Sequence, residues 1–111
     1  MMNRRYILKK AQDGEVLTIV CADSSEIREW WNTIWEIMDM QAPGMVKGSI
    51  GFNSGGAIRL RSVQKLDPHY LYGNRLLVTP DAETWAYFHK PETLDALRLA
   101  QDEFVNERRA A

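Results

Sequence analysis

Apolar positions along the chain change period several times, and each change marks an element. Between Asn3 and Gln12, Ile7, Leu8 and Ala11 recur at helical spacing among Arg and Lys, which predicts a short helix. A strand over Tyr6 to Lys9, turned back through Asp13-Gly14, is the alternative for the same residues. Val16-Leu17-Thr18-Ile19-Val20-Cys21 is an almost unbroken β-branched and apolar run, suited to a strand covered on both faces. Asp23-Ser24-Ser25-Glu26 then opens a helix. Asp23 can accept from the free amides of the first turn, and Glu26, three residues on, can reach back.

This second helix is predicted from Ser24 to about Met40, with Ala42-Pro43-Gly44 as its stop. Ile27, Trp30, Trp31, Ile34, Trp35, Ile37 and Met38 spread over two adjoining faces, more than one narrow stripe requires. Either most of the helix is buried, or one face meets a partner. Ser49 to Phe52 and Ala57 to Ser62 flank Asn53-Ser54-Gly55-Gly56 and read as a β-hairpin. In its second strand Ile58 and Leu60 alternate with Arg59 and Arg61, so one face is apolar and the other charged. Asp67-Pro68 and Tyr72-Gly73-Asn74 mark an irregular connection before Leu76-Leu77-Val78, a further strand ended by Pro80. Asp81 to His89 is predicted as a short helical turn bearing Trp85 and Phe88. Pro91 and Glu92 then open an amphipathic closing helix with Leu94, Leu97, Ala100 and Phe104, ending at Arg108-Arg109.

The expected architecture is one α/β domain over residues 1–111: a small sheet of about four strands, including a hairpin, flanked by about three helices. A crossover helix between strands favours a right-handed connection. The length of 111 residues suits one domain, and 45% apolar residues suffice for a core. The net charge of −1 gives no overall pull toward nucleic acid or membrane. Cys21, the single cysteine, allows no internal disulfide and no multi-cysteine metal site. No apolar run nears the roughly 20 residues that span a bilayer, and Met1 to Lys10 lacks the apolar stretch of a signal peptide. A cytoplasmic protein without membrane contact is expected.

Arg5 to Asp23 with Gly14 at its turn, Asn53 to Ser62, Leu71-Tyr72-Gly73 and Leu76 to Glu83 together resemble the core of P-loop ATPases of the phage terminase or helicase type. The likeness runs from Arg5 to Glu83. It rests on the helix, Gly14 and strand over Arg5 to Asp23, and on the glycine-rich turn and Arg-bearing strand, Asn53 to Ser62. Leu71-Tyr72-Gly73 and Leu76-Leu77-Val78-Thr79-Pro80-Asp81-Ala82-Glu83 complete it. Two departures limit what the likeness implies. The phosphate loop Gly-x-x-x-x-Gly-Lys-Ser/Thr is absent, and Thr79-Pro80 stand where such families carry their acidic pair. The implied protein keeps the scaffold and has lost nucleotide hydrolysis.

Candidate chemistry is sparse. His69 and His89 lack the spacing of a metal or catalytic motif and read as surface or capping residues. Asp81 and Glu83 could pair for acid–base or magnesium chemistry, but carboxylates after Pro80 also suit a helix N-terminus. Cys21, inside an apolar strand, reads as a small core filler. No catalytic residue, metal ligand or cofactor site is assigned, and an enzyme ranks third among the readings. The leading expectation is a partner-binding or self-associating surface made by Trp30, Trp31 and Trp35; the resemblance alone implies a phage or mobile-element accessory protein, such as an inhibitor, as its setting. The alternative is a nucleic-acid-binding module. It would use Arg59, Arg61, Lys65 and Arg75, with Tyr70 and Tyr72 to stack bases.

Overall fold

The computed structural model describes residues 4–44, 48–66, 75–95 and 97. Along the chain run α1 (Arg4–Gln12), β1 (Val16–Cys21), α2 (Ser24–Ile37), β2 (Ser49–Gly51) and β3 (Ala57–Ser62). A 3-10 turn (Val63–Lys65), β4 (Arg75–Val78) and α3 (Pro80–His89) follow, and the chain is helical again at 91–95. The strands form a four-stranded mixed sheet in the order β2-β3-β1-β4. β1 is parallel to β3 on one side and to β4 on the other, while β2 and β3 form the antiparallel hairpin.

Two packed layers follow from the alternation of side chains along these strands. Leu17, Ile19 and Cys21 of β1, Ile58 and Leu60 of β3, and Leu77 of β4 face α1 and α2. Val20 of β1 and Leu76 and Val78 of β4 face the other way, toward Ala82 and Ala86 of α3 and toward Leu94 and Leu97. The first helix forms as preferred, and the alternative strand over Tyr6 to Lys9 does not: Ile7, Leu8 and Ala11 are its buried face. Predicted Ala100, Phe104, Arg108 and Arg109 lie outside the described residues, as do His69, Tyr70 and Tyr72.

Both α1 and α2 end in the same hydrogen-bonded turn. After α1, Glu15 N donates to Lys10 O at 3.1 Å and Gly14 N to Ala11 O at 3.1 Å, with Gly14 at φ 115°. After α2, Met40 N donates to Trp35 O at 3.0 Å and Asp39 N to Glu36 O at 2.9 Å, with Asp39 at φ 56°. The second helix therefore stops at Ile37, ahead of the expected Met40. Asp39 takes the left-handed position that glycine usually fills, and no proline is needed to break the helix. Two further boundaries differ by small amounts. β2 ends at Gly51, one residue before Phe52, and α3 begins at Pro80 and runs for 10 residues, longer than a turn.

The glycine-rich turn of the hairpin seats on the end of α1. Ser54 Oγ donates to Ala11 O at 3.4 Å, and Ala57 N donates to Glu15 O at 2.9 Å. A Cβ on Gly56 would lie 1.7 Å from Ala11 O, so only a bare backbone fits there. Gly56→Ala should destabilise the protein by at least about 2 kcal/mol in chemical denaturation. Gly51→Ala, where a Cβ would meet nothing within 4 Å, should stay within about 0.5 kcal/mol of the parent. Equal effects of the two would contradict this seating.

Candidate functional site

Ligands of open parallel sheets usually gather beyond the carboxyl ends of the strands, where adjacent connections leave in opposite directions. Here that place lies between β1, which leads into α2 on one face, and β4, which leads into α3 on the other. Several of the protein's own polar groups meet there. Asp23 caps α2, its Oδ1 accepting from Glu26 N at 3.0 Å. Glu26 Oε1 accepts from Ala22 N at 2.8 Å and from Thr79 Oγ1 at 2.6 Å. Thr79 in turn caps α3 by accepting from Ala82 N at 3.2 Å, and its own N donates to Val20 O at 3.1 Å. Gln64 Nε2 donates to Ala22 O at 2.9 Å, and Lys90 Nζ donates to Gln64 O at 3.0 Å. One carboxylate thus ties the start of α2 to the start of α3.

Asp81, Glu83 and Cys21 come from the elements that meet at this edge, each in a structural setting. Asp81 is exposed and Glu83 half-buried in the first turn of α3, where carboxylates favour the helix dipole. Among the described residues no group of three or more His, Cys, Asp or Glu could hold a metal ion. Cys21 is buried, and its thiol is pushed up to about 12 by that burial first, then by Glu26 and Asp23. Such a thiol carries almost no nucleophilic thiolate near neutral pH. His89 lies at the end of α3, stacked on Trp85 with ring centroids 4.6 Å apart, its Nδ1 3.0 Å from Trp85 O.

The tryptophan helix lies mostly inside. Trp30 is 3% and Trp31 6% exposed, and Trp35 is half-buried, packed edge-on against Trp31 at 5.9 Å. The expected surface of Trp30, Trp31 and Trp35 is therefore corrected for the first two. The physical reason is a second cover: α1 lies across α2, so its two apolar faces meet the sheet and a neighbouring helix. Arg4 sits over the Trp30 ring at 4.4 Å while donating to Thr33 Oγ1 at 2.9 Å and pairing with Glu29 at 3.3 Å. Trp31 Nε1 donates to Pro43 O at 2.9 Å, which satisfies its polar edge.

The four basic residues are spread along the sheet. Arg59 and Arg61 share a face of β3 and are both half-buried. Arg61 holds the backbone of the hairpin, donating to Leu60 O at 2.8 Å and Gly48 O at 3.3 Å, with Ser49 Oγ at 3.4 Å. Lys65 is exposed beyond the carboxyl end of β3, whereas Arg75 opens β4 at the opposite end, in register with Leu17.

A different apolar feature stands on the outer side of α3. Tyr87 is 61% and Phe88 71% exposed, their rings edge-on with centroids 5.1 Å apart. The helix buries its smallest side chains, Ala82 and Ala86, one turn apart, which lets its backbone approach the sheet. Large residues just after that alanine pair must then point away. The Ala-x-x-x-Ala spacing is the signal in the sequence that marks this outward face.

Comparison with known proteins gives no match: no family model, no curated protein and no solved structure corresponds to the chain. Among the described residues no helix is long and apolar enough to cross a membrane.

The Glu26–Thr79 tie makes a definite prediction. Thr79→Val removes both a donor to Glu26 and the cap of α3, and should cost about 1–3 kcal/mol in denaturant unfolding. Thr79→Ser should recover most of it. A valine variant as stable as the parent would remove the tie from the account.

Proposed function

We propose that this protein is a non-enzymatic interaction module of the cytoplasm, binding a partner protein or a second copy of itself. The observation that carries the proposal is the exposed Tyr87–Phe88 pair on α3. Two large adjoining aromatic rings left in water gain most by entering a pocket on another protein, and such rings recur as binding anchors. The polar groups at the carboxyl edge of the sheet are engaged with one another, which supports a scaffold over a reaction centre. The likeness of residues 5–83 to an ATPase core without its phosphate loop supports a phage or mobile-element accessory protein. A nucleic-acid surface has less support, because Arg61 serves the hairpin and Lys65 and Arg75 stand at opposite ends of the sheet.

The test is photo-crosslinking with benzoylphenylalanine in place of Phe88, irradiated in the cell that makes the protein. One dominant adduct is expected, its mass distinguishing a partner from a second copy. A control with the photo-probe in place of exposed Arg28, on α2, should give none. The same yield at both positions, or no adduct at position 88, would contradict the proposal.

A further inference from the structure

The other face of the molecule carries a second feature, independent of Tyr87 and Phe88. α2 stops at Ile37 and the chain turns at Asp39, which sets Ile37, Met38 and Met40 across from Leu8, Lys9 and Gln12 of α1. A groove of about 670 Å³ remains there. Its apolar lining is Leu8 of α1, Ile37 and Met38 at the end of α2, and Met40, which is 57% exposed at the rim. Methionine side chains are flexible and polarisable, and adapt to an incoming apolar surface better than branched ones.

The charges along this groove are unequal. α1 carries Arg4, Arg5, Lys9 and Lys10 and no acidic residue. Arg4 pairs with Glu29 at 3.3 Å, and Lys10 with Glu15 at 4.0 Å. Arg5 and Lys9 both line the groove, are exposed, and form no ion pair among the described residues. They stand four residues apart on one face of the helix, and Asp13, four further on, reverses the sign at the far end. We infer that this groove docks an amphipathic helix of a partner protein, its apolar stripe on Leu8, Ile37, Met38 and Met40 and its acidic flank along Arg5 and Lys9. A helix suits the site because carboxylates repeated every four residues match cations repeated every four residues. A uniformly acidic segment fits less well than one that turns neutral or basic opposite Asp13.

The probe is a labelled, designed amphipathic helix with a leucine stripe and Glu on the flank, compared with the same peptide carrying Lys in place of Glu. Fluorescence anisotropy should show the Glu peptide binding at least about tenfold more tightly at low salt, with the difference shrinking as salt rises. Arg5→Glu with Lys9→Glu should reverse the preference. Met40→Ser should weaken both peptides and leave their order unchanged. Tyr87→Ser with Phe88→Ser should leave both affinities unchanged, which separates this site from the aromatic pair on α3. No saturable binding, equal affinity for the two peptides, or a preference unaffected by the charge reversal would overturn the inference.

Discussion

The constraint on which the rest depends is the position of β1. It has hydrogen-bonded neighbours on both edges and packed layers on both faces, and only Val16 at its start reaches solvent among its six residues. A strand with partners on both sides and no exposed face must alternate its side chains between two separate layers. Leu17, Ile19 and Cys21 go to one, Thr18 and Val20 to the other. The helices are then assigned by necessity, α1 and α2 to the first layer, α3 and the residues after it to the second. The parallel β1–β4 pair also brings the starts of α2 and α3 together. Glu26 and Thr79, 53 residues apart in sequence, can therefore satisfy each other.

Much of this was legible because it depends on local pattern. The apolar run of β1, the capping sequence Asp23 to Glu26 and the Asn53 to Gly56 turn each specify their own conformation. The two helix ends show where such legibility stops. Gly14 announces the end of α1 by residue type alone. Asp39 ends α2 with the same backbone turn, yet aspartate is common at many positions and carries no such announcement. The sequence pattern consequently carries the helix on to about Met40, just before the breaker Ala42-Pro43-Gly44.

The interaction surface was harder to read because burial is a property of neighbours. Three tryptophans on two faces of a helix are compatible with a binding patch or with a helix enclosed on two sides, and only the docking of α1 decides between them. In the same way, Arg59 and Arg61 look like a solvated stripe in a strand pattern, but Arg61 becomes a clamp once the hairpin places Gly48 and Ser49 beside it. Tyr87 and Phe88 escape notice for the opposite reason. Aromatic residues read as core until the small residues beside them are seen to occupy the core position. Among the described residues, the Tyr87–Phe88 pair and the groove beside α1 lie on opposite faces of the sheet, where the two layers leave them uncovered.

The tryptophan helix has to be interior for the binding surface to lie away from α2, on the Tyr87–Phe88 pair. Equilibrium unfolding of the Trp30→Ala variant in urea tests this directly. Loss of about 3–5 kcal/mol, the range for deleting a buried aromatic side chain, is the expected result. A variant within about 0.5 kcal/mol of the parent would mean that Trp30 faces solvent, and the helix would return as the candidate binding surface.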